Sequence, residues 1–597
     1  MKKKKKAARK KKNLLPIALI VALILILGGG LLAHFIQTNG CVTIRDLRFM
    51  GIDSKLMSAL LYVPKGATKA TPAPGIVAMH GFLNSRETQD GFAIEFARRG
   101  YVVLAPDLLG HGYSEPALST GSFFGSGIGG KAALDYLRSL DFVDKGNIGL
   151  EGHSFGAAGL ITTAFANQNA YRSIVVEGWS TGAYCPPGSP TFPRNMLVVF
   201  DKYDEFSKLN WGTPVAADAP KGDKMKAAFG TTAPVEVGKL YGSIEQGTAR
   251  KLLMPKTEHP YLHFSTEAIG AAVAWMQATL KGGKNIPPSN QIWYWKEIGT
   301  LIAMIGMVLF LLAVGGYLLK TNYFKGLIEA PAAAKPATGW GWWIGAVITI
   351  LLPIPVYLWA WSFWMKGIAK ASWLLPQETT TTIMFWAVVV AAISLILLLL
   401  WHFLVNKKKG GSFAAYGFTW KGKLQLGKVG KSFLLALIAV FAAYLTLVFS
   451  AWAFTIDYRI WVFAIKPMST LHFGIFLRYL IPFAFYFVII GMVIHGELRR
   501  NSGAWAQTVV NILLLIGGYI LFFLFQYIPL FSGKTMPLAD AHLATIVLFQ
   551  YIPIFIIVGL VSTYFYRKTG HVFVGAFINT LLIVWTIVAG TVTNYPF

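Results

Sequence analysis

The sequence predicts two fold classes in one chain. One is an α/β domain, a mostly parallel sheet with helices on both faces. The other is an all-α polytopic transmembrane domain. Three observations predict this. Of 597 residues, 55% are hydrophobic and only 14% charged, a balance that points to an integral membrane protein. The apolar residues are unevenly spread: long runs fill 14–36 and nearly everything after 297, and the stretch between has an ordinary soluble composition. Within that stretch, short apolar runs alternate with helical periodicity after an opening hairpin, the pattern of parallel strands joined by crossover helices.

The divisions follow from the same patterning: a basic cytoplasmic tail at 1–13, a transmembrane signal anchor at 14–36, an extracytoplasmic α/β domain at 37–290 and a membrane domain at 291–597. The tail, MKKKKKAARKKKN, has nothing to bury and is expected to be disordered. The run from Leu14 to Ile36 is long enough to cross a bilayer. A secretory signal peptide shares its basic-then-apolar order, but this run exceeds a usual signal core and no clean small-x-small site precedes Cys41. An uncleaved anchor is therefore expected.

In the soluble stretch, 44–50 and 56–63 read as a hairpin around Gly51-Ile-Asp-Ser54. Strands are then expected at 75–79, 101–105, 147–150, 173–177, 196–200 and 251–254. Helices are expected at 88–99, 131–140, 155–167 and 265–280, the last with Ser265 as N-cap and Glu267 in its first turn. Residues 203–250 interrupt the alternation and are rich in Gly, Pro, Ala and Lys, as a lid or a surface insertion would be.

About eight further apolar spans follow, at 298–319, 340–364, 382–405, 432–454, 474–494, 505–528, 544–565 and 572–592. Basic clusters at Asn406–Lys409 with Lys421–Lys431, at Glu497–Arg500 and at Tyr566–Lys568 share a side with the N-terminal lysines when spans alternate. That is a positive-inside pattern. It sets the tail in the cytoplasm, the α/β domain outside, and the protein in the cell membrane as a multi-pass chain. The net charge of +27 therefore reads as topology and contact with anionic lipid headgroups, not as nucleic-acid binding. Only Cys41 and Cys185 are present, too few for a disulfide framework.

Gly152-His-Ser-Phe-Gly156 stands between an expected strand and an expected helix. In that context Gly-x-Ser-x-Gly is a nucleophile elbow, with glycines where a tight turn leaves no room for Cβ atoms. Ser154 needs a base, and only His259 and His263 lie between the last strand and the closing helix. His259 is in the loop and is preferred; His263 is the alternative. The acid should follow the preceding strand. Asp204 is preferred, with Asp201 and Glu177 as alternatives. Amides of Phe82 and Phe155 are positioned to converge on an oxyanion.

The runs Val77–Phe82, Arg99–Ser114, Gly152–Gly156, Asp201–Asp204 and Glu258-His259 together resemble the α/β-hydrolase family over about residues 43–282. The resemblance implies Ser154 as nucleophile, Asp204 as acid, His259 as base, and the Phe82 and Phe155 amides as the oxyanion hole. It implies a structural role for Asp107. It also implies hydrolysis of an ester or related acyl carbonyl, with no metal or other cofactor. The cap that many members insert between 177 and 196 is missing, so any lid must come from 203–250. Tyr566–Gly570 through Asn579 resembles the last motif of CAAX-type intramembrane proteases. Asn579 stands where that family would place histidine and no paired-glutamate motif precedes it, which implies a scaffold without the metal chemistry.

The expected function is that of a membrane-anchored serine esterase or lipase acting on an acyl-containing small molecule, lipid or surface molecule. Acyl transfer, peptidase action, and a transporter or scaffold with a hydrolase-like module are the other readings. Eight spans exceed what anchoring requires.

Overall fold

A computed structural model describes residues 14–333, 337–500 and 503–597. The expected basic tail at 1–13 lies outside them.

Nine strands form one sheet: β1 (Val42–Met50), β2 (Leu56–Pro64), β3 (Ala73–Met79), β4 (Val102–Pro106), β5 (Val143–His153), β6 (Ser173–Glu177), β7 (Met196–Val199), β8 (Leu240–Tyr241) and β9 (Arg250–Leu253). Their spatial order is β1-β2-β4-β3-β5-β6-β7-β9-β8. The β1–β2 hairpin and the short β8 are antiparallel; the strands from β4 through β9 are parallel. Alternate residues feed the two faces. Val77, Leu104, Leu150 and Val198 pack under helices Gly130–Ser139 and Phe155–Ala166. Ile76, Val103, Val175 and Leu197 pack under Asp90–Arg98 and Thr266–Thr279. This is the predicted α/β-hydrolase sheet, covered on both faces. Ser265 caps the closing helix as expected, accepting from the Ala268 amide at 3.2 Å.

Two boundaries differ from the sequence reading. β5 begins at Val143, four residues early, because Val143 and Asp144 pair with Ala73 and Pro74 at the sheet margin before the register shifts, and Asp144-Lys145-Gly146 stays exposed there. The helix expected from 88 opens as a tighter turn, Arg86–Gln89, under a Ser85–Thr88 capping box.

Among the described residues, nine helices are long and apolar enough to cross a membrane: Leu15–Thr38, Trp293–Leu318, Trp340–Met365, Glu378–Lys409, Leu426–Phe454, Thr470–Glu497, Ala504–Phe531, Ala539–Thr569 and Phe573–Gly590. They are compatible with a multi-pass membrane protein. The first two run antiparallel with backbones touching: a Cβ on Gly29 would meet Gly299 O at 2.4 Å, and one on Gly299 would meet Gly29 O at 2.7 Å. Small residues at such contacts let dispersion act between helices where burial from water does not.

A hairpin of β10 (Tyr458–Ile460) and β11 (Phe463–Ile465), between two of these helices, docks the helical half onto the sheet domain. Arg459 grips Asp457 with two hydrogen bonds of 2.8 and 2.6 Å and donates to Thr88 Oγ1 and Ser85 Oγ at 3.0 and 3.2 Å. Lys466 pairs with Glu87, and Lys296 with Asp90 at 2.5 Å. These groups are buried, so each charge depends on its partners. Burial pushes the Glu87 carboxyl up, but Lys466, Arg86 and Arg459 outweigh it and hold the group well below its ordinary value.

Candidate active site

Ser154 ends β5 and opens the helix Phe155–Ala166 with φ 53° and ψ −123°. A non-glycine residue there is strained, and its hold comes from the turn around it. The Ser154 amide donates to Glu177 O at 2.7 Å. A Cβ on Gly156 would lie 2.4 Å from His80 O, so the β3 turn can approach the elbow only with glycine there. The tight turn expected from the pentapeptide is thus present.

The structure brings Ser154, His259 and Asp204 together. With Nδ1 protonated, His259 donates to Asp204 Oδ2 at 2.9 Å, and its Nε2 accepts from Ser154 Oγ at 2.9 Å. Asp204 also accepts from the Phe206 amide at 2.7 Å. Burial disfavours the charged form of each group, lowering the imidazole and raising the carboxyl, the latter opposed by the Phe206 amide. The imidazole is therefore neutral at rest and free to accept the serine proton.

The other expected residues are placed differently. Both Asp201 carboxylate oxygens and both Glu177 carboxylate oxygens lack a partner among the described residues. Burial pushes each of these two carboxyls well up. Neither reaches His259. His263 lies 4.0 Å from His153, ring centre to ring centre with the planes tilted by 58°, and its ring makes no hydrogen bond among the described residues. Phe82 and Phe155 meet edge to face at 5.9 Å beside the serine, and neither amide has a partner among the described residues. Asp107 accepts from the Arg86 and Tyr113 amides at 2.9 and 3.0 Å, holding a turn.

Three contributors escaped the sequence reading. Glu205 Oε2 accepts from the His259 amide at 2.9 Å, and its Oε1 accepts from the Tyr527 hydroxyl at 2.6 Å. Trp461, at the tip between β10 and β11, donates to Pro260 O at 2.8 Å. The histidine loop is thus held partly by the helical half. The stretch 203–250, the expected source of any lid, forms short helices at Ser207–Asn210, Ala216–Lys221 and Asp223–Phe229, and only its Phe206 lines the space over Ser154. The segment resembling an intramembrane protease places Asn579 as a donor to Val558 O at 3.2 Å.

Five histidines, His80, His111, His153, His259 and His263, are buried here, and burial lowers each below its ordinary value. The unfolded chain therefore binds their protons first. Stability should be fully present above about pH 6.5 and fall as pH drops below it. Melting temperature followed from neutral to mildly acidic pH checks this; an unchanged value would contradict neutral burial.

Residues 74–232 match the family model described as the alpha/beta hydrolase fold. The strand order, the elbow and that match define the domain as an α/β-hydrolase domain, joined here to a bundle of long apolar helices. The chain is 34% identical over 134 residues to the quorum-quenching protein AidA of Acinetobacter baumannii (strain MDR-ZJ06), a match covering 22% of this chain and 42% of that protein. The chain thus spans less than half the length of this curated relative. Among solved structures it is similar to a bacterial heroin esterase (16% identity, TM-score 0.32, covering 45% of this chain and 92% of that one). It is also similar to an esterase of Pyrococcus furiosus (15% identity, TM-score 0.29, covering 40% and 94%).

Proposed function

We propose that the protein is a membrane-anchored serine hydrolase that cleaves an acyl ester or related carbonyl through a covalent acyl-enzyme. The observation that carries this is the unbroken line of hydrogen bonds from Ser154 through His259 to Asp204. In this reading His259 Nε2 takes the serine proton as Oγ attacks the carbonyl, and Asp204 fixes the tautomer and offsets the imidazolium charge. The free Phe82 and Phe155 amides face the developing oxyanion. The alcohol leaves with the proton from His259. Water, deprotonated by the same histidine, then releases the acid.

A fluorophosphonate probe is expected to label the purified protein and to fail on Ser154→Ala. Labelling that persists in that variant would reject the nucleophile. The anchor and the basic clusters support an outside position for the hydrolase domain. An exposed position such as Lys69, replaced by cysteine, should then react with an impermeant thiol reagent on intact cells; protection there would reverse the orientation.

A further inference from the structure

Ser154 lies under a roof its own domain does not supply. The cavity over it, about 60 Å³, is closed by Val462, Leu543, Ile546, Val547 and Gln550, all from the helical half. A second cavity of about 380 Å³ lies on the far side of Phe82, whose ring lines both. Phe123, Phe124 and Phe155 wall it from the hydrolase domain, and Trp364, Glu378 and Val592 from the helical half.

Followed in alternation through the nine helices, Met365, Glu378, Ala539 and Gly590 fall at the end of the bundle where Thr38 leaves it and Trp293 returns. The larger cavity therefore sits where the helices end. Glu378 accepts from the Trp364 indole at 3.1 Å and from the Ala371 amide at 3.2 Å, which ties the loop after Met365 to the cavity wall. That loop exposes Ile368, Trp373 and Leu374 by 63, 62 and 57%. Apolar and aromatic side chains at a helix end belong at the lipid–water boundary.

The charges narrow the occupant further. Among the described residues lining the two cavities there is no lysine or arginine, and Glu378 is the one carboxylate. A phosphate held beside Ser154 would leave an unpaired charge out of water, with no cation in either lining to offset it. An uncharged alcohol would not.

Resting on Ser154 as the nucleophile, we propose that the active site is composite. The larger cavity receives the acyl chain of an uncharged long-chain ester, of the mono- or diacylglycerol class, drawn from the surrounding bilayer. The chain passes Phe82 and presents its carbonyl to Ser154 under the helical roof. The acyl C–O bond breaks as the bond to Oγ forms, and the glycerol hydroxyl takes its proton from His259. Water then displaces the serine and the fatty acid returns to the membrane.

The test uses the full chain reconstituted in vesicles. Long-chain monoacylglycerol in the same vesicles should be cleaved faster than the same lipid supplied in separate vesicles, and faster than a lysophosphatidylglycerol of equal chain length. Val592→Trp, and Ala117→Phe on the opposite wall, should each lower the ratio of long-chain to butyryl-ester hydrolysis by about ten-fold or more. Equal cleavage from separate vesicles would overturn the bilayer source. Equal cleavage of the two lipids would overturn the uncharged class, and an unchanged ratio in both filled variants would overturn the cavity assignment. Probe labelling and butyryl-ester cleavage without monoacylglycerol cleavage would reject this substrate and leave the nucleophile standing. No labelling and no cleavage of any ester would instead reject the hydrolase reading itself.

Discussion

Asp204→Asn is expected to lower kcat on any accepted ester by about 10⁴-fold while the protein stays folded. The asparagine keeps the size of the buried side chain and can still accept from the Phe206 amide. Its NH₂ group would then face His259 Nδ1 and turn that nitrogen into an acceptor. The proton moves to Nε2, which can no longer accept from Ser154 Oγ. The loss should appear in kcat, because the orienting interaction matters most when the imidazolium forms. A drop of less than about ten-fold would show that another group orients the histidine. Asp201 and Glu177 are poor substitutes, since neither carboxyl reaches His259.

The second large effect is on stability. Arg459→Met should destabilise the docked assembly by about 3–5 kcal/mol, because it strands buried carboxylates that the guanidinium now pairs. Asp457 would lose two hydrogen bonds, and Glu87 would keep Lys466, Arg86 and the Ser85 hydroxyl. Thermal unfolding in detergent measures the loss. Combining Arg459→Met with Asp457→Leu should recover part of it, since removing both charges leaves fewer buried groups unpaired. An unchanged melting temperature in the single variant would mean that the hairpin does not hold the two halves together.

Much of the fold was legible because its signals are local. Strand and helix alternated at short range, and the elbow announced itself through glycines that the turn at Ser154 requires. Asp204 and His259 could be picked because each follows a strand, and strand ends collect on one edge of a parallel sheet. Glu205 was adjacent to the chosen acid and still went unread, because its partners are the His259 amide and a tyrosine 322 residues away. No periodicity carries that information. The same holds for the roof. The sequence offered 203–250 as the unassigned stretch near the site, whereas Ile546, Val547 and Gln550 belonged to a run that hydropathy alone reads as membrane, and Val462 to a loop between two such runs. An apolar residue facing lipid and one facing Ser154 look alike in a sequence.

The close contact between Gly29 and Gly299 bears on how such a molecule is made. The helix Leu15–Thr38 is synthesised first, yet the partner it lies against, Trp293–Leu318, follows about 250 residues later, on the order of 10–50 s of translation. During that interval the first helix lacks this partner while the whole sheet domain emerges between the two. The domain can reach its fold before the bundle begins to close. The helical roof then arrives last, over a sheet edge that is already formed.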